Sequence, residues 1–204
     1  MEDIKSSLEG KSQLYLMDQK IIKPYVGPVP INFESYRTKL IKDSEGNDIL
    51  RIDYNDNPSA IDQPARGFAR IAQMVARLLD FKVADTDGNF LYSVRSKNGL
   101  SNKLEFRISN GDDSKELYSG LHKMMNLAKE STSILSLDGN LLLGCEFRGF
   151  KRTIEVKDGN GSIVATIHAP VISLRDRWQI DYSGDCDKIL VLIMVAIMSE
   201  LGQR

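Results

Sequence analysis

The sequence predicts a mainly β protein whose antiparallel sheet closes into a barrel around a buried C-terminal helix. Three observations carry this expectation: acidic Gly/Asn turns recur along the chain, apolar residues alternate on either side of them, and the run Ile189 to Met198 is apolar at every position.

The turns are Lys42-Asp43-Ser44-Glu45-Gly46-Asn47, Asp85-Thr86-Asp87-Gly88-Asn89, Ser109-Asn110-Gly111-Asp112, Leu137-Asp138-Gly139-Asn140 and Lys157-Asp158-Gly159-Asn160-Gly161. Gly and Asn accept the positive backbone angles of tight hairpin turns, and Asp bonds the local backbone. The flanks read as strands: Phe81 and Val83, then Phe90, Tyr92 and Val94; Leu104, Phe106 and Ile108; Ile154 and Val156, then Ile163, Val164 and Ile167; Trp178, Ile180 and Tyr182. A period of two in β-branched and aromatic residues lays one face on a core. So many strand edges are best removed by closing the sheet into a barrel or sandwich. The turns are spaced by about 20 to 40 residues, further apart than in a simple meander. The connections therefore include long strands, bends or a helix.

Asp185-Cys186-Asp187 supplies an acidic N-cap for the terminal run. A helix apolar all round must be buried all round, and in a small β protein the lumen of a barrel is the place that surrounds it. From Asp187 to Leu201 such a helix is about 22 Å long. A second helix is expected from Pro64 to about Asp80, where Phe68, Ile71, Ala72, Val75, Leu78 and Leu79 recur at helical spacing opposite Arg66, Arg70 and Arg77. A strand is the alternative there. Leu117 to Leu127 is left between helix and strand: Leu117, Leu121, Met124 and Leu127 fit a helix, and Gly120 interrupts it.

With 204 residues, 42% hydrophobic and 27% charged, the chain can bury a substantial core. We read residues 1–11 as a flexible tail and 12–204 as one domain. Twenty-seven Lys+Arg against 28 Asp+Glu give a net charge of -1, so the chain is not a general electrostatic surface for nucleic acid. Cys145 and Cys186 have neither CxxC spacing nor histidine neighbours, which points to buried thiols in a reducing, cytoplasmic setting. The N-terminus lacks a basic start followed by an apolar signal core, and Ile189 to Met198 is too short to span a bilayer.

Taken together, the opening Leu14-Tyr15-Leu16-Met17-Asp18-Gln19-Lys20-Ile21-Ile22, the repeated acidic turns, Arg175-Asp176-Arg177-Trp178-Gln179-Ile180-Asp181 and Asp187-Lys188-Ile189-Leu190-Val191-Leu192 resemble the Tubby C-terminal-like superfamily. That superfamily includes Tubby, the phospholipid scramblases and the LURP-one-related proteins, and the likeness is nearest to the last. It implies a closed antiparallel barrel of about twelve strands threaded by the C-terminal helix. It also implies a non-enzymatic binding domain for phosphoinositide-like anionic lipids or a protein partner, with peripheral contact to a membrane. The Pro64 to Asp80 segment and the Pro24 to Pro30 stretch depart from that family. No phosphoinositide-binding motif of Tubby, and neither the calcium-binding nor the cysteine-rich segment of scramblases, has a counterpart to carry over.

The residues themselves offer no catalytic set, cofactor fingerprint or metal site. His122 and His168 read as structural, His168 on a strand at a sheet edge, and no Gly-x-Ser-x-Gly elbow is present. Asp85-Thr86-Asp87-Gly88-Asn89 fails the EF-hand spacing. The candidate anion-binding residues are Arg66, Arg70 and Arg77, a basic helix face, and the cluster Arg148, Lys151 and Arg152, which Arg175 and Arg177 could extend. The plain alternative for each is a solvated surface. A rival expectation is a carrier or enzyme with a pocket at the barrel mouth lined by Tyr15, Tyr25, Tyr36 or Trp178. Scramblase activity ranks third.

Overall fold

Asp43, Asp85, Ser136 and Asp158 begin four hairpin turns of one design. Gly46 at φ 90°, Gly88 at φ 90°, Gly139 at φ 84° and Gly161 at φ 85° occupy the same place in each. In the first, the Gly46 N–H donates to the Asp43 carbonyl at 3.1 Å and the Asp43 N–H donates to the Asn47 carbonyl at 3.1 Å. The Asp43 carboxylate accepts the Asn47 N–H at 2.9 Å. A left-handed residue closing a type I turn produces a one-residue bulge. The register shifts accordingly next to all four turns, at Ile41/Lys42, Val83/Ala84, Ile134/Leu135 and Val156/Lys157. The fifth turn differs: Asp113 takes the positive φ, at 63°. Gly111 is required there by a close approach, since a Cβ would lie 1.8 Å from the Phe90 carbonyl oxygen.

The computed structural model describes residues 6–22, 35–54, 79–98, 103–126, 129–148, 152–169 and 177–201. Its strands are β1 (Gln13–Ile22), β2 (Ser35–Asp43), β3 (Asp48–Tyr54), β4 (Asp80–Ala84), β5 (Phe90–Asn98) and β6 (Lys103–Asn110). They continue with β7 (Glu116–Asn126), β8 (Lys129–Leu135), β9 (Leu141–Arg148), β10 (Thr153–Asp158), β11 (Ile163–His168) and β12 (Arg177–Tyr182), and the chain closes with helix α1 (Lys188–Leu201). Every strand pairs antiparallel with its sequence neighbours, and β1 pairs with β12 to close the barrel. This up-and-down order places the turns between β2 and β3, β4 and β5, β6 and β7, β8 and β9, and β10 and β11 at the end of the barrel where α1 begins.

A barrel of twelve strands has a lumen wider than its own side chains fill, and α1 fills it. Ile189 through Ser199 are all buried. They meet Leu14, Leu16, Ile52, Phe81, Phe106 and Ile180 among others, in one continuous core. Asp187 caps the helix, its carboxylate accepting the Ile189 N–H at 3.0 Å and the Leu190 N–H at 3.4 Å. Near the other end, the fully buried Lys39 of β2 reaches Ser199 Oγ at 2.5 Å and Glu200 Oε1 at 3.1 Å. Its ammonium also lies 5.6 Å from the centre of the Tyr54 ring. A buried cation needs such partners, and the negative end of the helix dipole favours it there.

The expected barrel and helix are present. The open segment Leu117 to Leu127 is strand β7 through Asn126, and Gly120 is explained by its partner: a Cβ would lie 2.1 Å from the Phe106 ring. Phe90, expected to face the core with Tyr92 and Val94, is 47% exposed, because the bulge beside it shifts the alternation. Lys82 lies over its ring instead, at 4.4 Å. The helix expected from Pro64 to Asp80 lies outside the described residues over 64–78, and Asp80 opens β4. Residues 8–11, read as part of a tail, dock on the barrel: Leu8 is 2% exposed, Lys11 pairs with Asp43 at 2.8 Å, and Lys188 Nζ donates to the Leu8 carbonyl at 2.7 Å.

Two outcomes are expected. Gly120→Ala destabilises by about 1–3 kcal/mol in urea titration, because the buried Phe106 ring has nowhere to move. The bond from Lys11, followed by those from Asn47, holds the Asp43 carboxyl well below the usual carboxylate range. A depressed folded-state pKa means stability that is present above about pH 4 and lost as pH falls below it. Thermal melts should therefore show a falling acid limb, and Asp43→Asn should lower stability at neutral pH while flattening that limb.

Candidate functional site on the barrel wall

Along β9 the burial alternates, with Leu143 and Cys145 inward and Gly144, Glu146 and Arg148 outward. β10 does the same, with Ile154 and Val156 inward and Thr153, Glu155 and Lys157 outward. The outward residues of the two strands line a trough of about 1100 Å³, joined on one side by Ser131 and Ser133 of β8. Gly144 leaves its floor open. The trough runs from the turn at Gly159–Gly161 to Arg148 and Arg152 at the opposite end.

The trough exists because β9 and β10 part company. Leu143, Gly144 and Cys145 pair with Asp158, Lys157 and Val156, and there their ladder ends. On its other side β9 stays paired with β8 as far as Arg148, opposite Lys129. β10 likewise stays paired with β11 as far as Thr153, opposite His168. The facing edges of Glu146–Arg148 and Thr153–Glu155 are left without cross-strand partners among the described residues.

Charges in the trough are unequally committed. Glu146 is paired with Lys129 at 3.1 Å, and Glu155 lies 3.8 Å from Lys157. Arg148 and Arg152, both exposed, have no ion-pair partner among the described residues. Guanidinium groups offer forked donors suited to carboxylate and phosphate oxygens. What the site can do is hold an anion at its mouth.

Of the six basic residues singled out from the sequence, Arg148 and Arg152 come together here. Lys151, Arg66, Arg70 and Arg77 lie outside the described residues, as does Arg175. Arg177 instead stacks over Tyr15, 3.8 Å from the ring centre, on the outer face of β1 and β12. Of the residues proposed for a barrel-mouth pocket, the two whose side chains are described do not come together: Tyr15 faces outward, while Trp178 is 5% exposed and faces the core. Tyr25 is outside the described residues.

Both histidines lie on strands, His122 on β7 and His168 on β11, and one expectation is corrected. His168 is not at a sheet edge, because β11 is paired on both sides; its Nε2 lies 3.0 Å from Asp181 Oδ2. His122 is buried, with Nδ1 3.0 Å from Thr132 Oγ1. The carboxylates of Asp43, Asp85, Asp112 and Asp158 accept N–H groups of their own turns, as in the Asp85 bond from the Asn89 N–H at 2.8 Å. Sequence reasoning missed Lys39, Ser199 and Glu200. The signal was there in the polar Ser199-Glu200 that ends a wholly apolar helix and needs an internal partner.

Cys145, under the trough floor, is 7% exposed, and its Sγ lies 3.2 Å from Met198 Sδ inside the barrel. Burial pushes this thiol up to about 12, so it is neither a nucleophile nor a thiolate ligand at neutral pH. Cys186 sits at the start of α1 beside a smaller hollow lined by Leu8, Gly10 and Lys188 and is only half-buried. Neither a family model nor a curated protein sequence matches the chain. Native-state labelling with a maleimide at neutral pH should modify Cys186 well before Cys145, as read by peptide mass mapping. Equal rates would mean that the trough floor opens to solvent.

Proposed function

We propose that this chain is a non-enzymatic binding domain of Tubby-like architecture that holds the anionic group of a lipid headgroup or of a protein partner at Arg148 and Arg152. The observation that carries the reading is the pair of guanidinium groups without an ion-pair partner among the described residues, in a trough whose two central carboxylates already face lysines. The closed barrel around an apolar terminal helix supports the likeness to the Tubby C-terminal-like superfamily and to LURP-one-related proteins. A cytoplasmic setting with peripheral contact to a membrane belongs to the same reading.

The rivals have less in their favour. A carrier needs an open lumen, and α1 occupies it. A scramblase reading would draw on α1 as a membrane segment, and no helix among the described residues is long and apolar enough to cross a membrane. The outer faces of the strands carry Arg51, Asp53, Lys97, Glu105, Arg107 and Glu155, a pattern opposite to the apolar outer band of a membrane barrel.

Each basic residue near an anionic surface contributes about 1 kcal/mol, so the pair gives weak, salt-sensitive attachment. Binding should be measured to two anionic probes, phosphoinositide-containing vesicles and a soluble glutamate-rich peptide, at low and near-physiological salt. We expect binding to at least one, with phosphatidylcholine vesicles inert. The double reversal Arg148→Glu/Arg152→Glu should weaken it roughly 30-fold or more while leaving thermal stability nearly unchanged. Binding that survives the reversal, or no binding to either probe, overturns the assignment.

A further inference from the structure

The anion reading uses only the mouth of the trough, whereas the trough runs the length of the β9–β10 hairpin. Its walls at the mouth are strand edges, Glu146–Arg148 on one side and Thr153–Glu155 on the other, whose ladder ends at Cys145 and Val156. Such edges present both N–H donors and C=O acceptors, and these seek partners. A phosphate headgroup has acceptors for the N–H groups but supplies few donors for the carbonyls. A peptide backbone supplies both, in the spacing that a strand edge already has.

We infer that the trough receives an extended acidic peptide segment of a partner protein, paired through its backbone with the open edge of β9 at Glu146–Arg148 and presenting a carboxylate to Arg148 and Arg152. The inference rests on the anion reading and specifies its partner. Charge complementarity selects the acidic side chain: the two arginines lack carboxylate partners among the described residues, and Glu146 and Glu155 face Lys129 and Lys157. Gly144 admits the incoming chain, because nothing projects from it into the floor. A side chain there is compatible with the fold, since a Cβ would meet only Leu141 at 3.6 and 3.8 Å, ordinary contact distances.

The test uses the full chain and three capped heptapeptides: alternating Glu-Val, alternating Lys-Val, and a Glu-Pro version that keeps the charge but lacks the N–H of every second residue and so cannot continue a ladder. Affinity is read by fluorescence anisotropy, and strand pairing by amide hydrogen exchange at Glu146–Arg148. We expect the Glu-Val peptide to bind and to slow exchange there at least tenfold, with the Glu-Pro peptide at least tenfold weaker and the Lys-Val peptide inert. Gly144→Val should weaken Glu-Val binding about tenfold with an unchanged melting temperature. Equal affinity for Glu-Pro, or binding without slowed exchange, overturns strand pairing and leaves the anion site standing. Loss of vesicle binding on Arg148→Glu/Arg152→Glu, with no peptide bound, overturns the peptide in favour of a lipid headgroup. If no probe binds at all, this inference and the anion reading fall together.

Discussion

The mutual burial of α1 and the inner face of the sheet is the interaction on which the rest of this structure depends. The helix is apolar on every side from Ile189 to Met198 and is stable in water only when enclosed. The sheet has the converse problem, since twelve strands close around more space than their own side chains fill. Each fully buried Val, Leu, Ile or Met contributes roughly 1.5–3 kcal/mol, so neither part persists without the other. The two ends of the helix then fix its depth. Asp187 caps one end, and Lys39 reaches from β2 to Ser199 and Glu200 at the other. A lysine committed in this way sets the axial position of α1 as well as neutralising Glu200.

Filling the lumen decides where function resides. In wide barrels the interior commonly takes the ligand, and here α1 takes its place. A binding role of the kind proposed above therefore falls to the outer wall and the ends. On the wall, the hairpin β9–β10 is the place where the ladder stops short of the strands that make it. There the two facing edges, Glu146–Arg148 and Thr153–Glu155, have no cross-strand partner among the described residues, and the trough lies between them.

Much of the fold was legible because it is written in side-chain chemistry. Gly46, Gly88, Gly139 and Gly161 mark turns that only a left-handed residue closes, and the run after Asp187 is too apolar for any surface. What escaped reading depends on cross-strand neighbours. Gly120 broke a helical pattern, and its reason is the Phe106 ring on the adjacent strand. Phe90 fits the alternation of β5, but the bulge at Val83/Ala84 turns it outward. Lys39 lies inward with Ile41, and its partners are 160 residues away in sequence. The site was half legible: Arg148 and Arg152 stood out as a basic cluster, whereas the trough beside them arises from missing backbone pairs. Arg148 and Thr153 stand in register with the pairs that do form, so no residue type announces the opening.

Charge is also distributed along the barrel axis. The turns at the α1 start carry Asp43, Asp85, Asp112 and Asp158, whose carboxylates bond the backbone of their own turns. Folding chemistry thus places these carboxylates at that end, where Lys11 pairs with Asp43 and Lys42 with Asp48. Arg148 and Arg152 lie at the far end of the same hairpin, a strand's length from the nearest acidic turn. Turn chemistry therefore accounts for these carboxylates without any ligand, whereas it gives no reason for the two arginines at the other end of the hairpin.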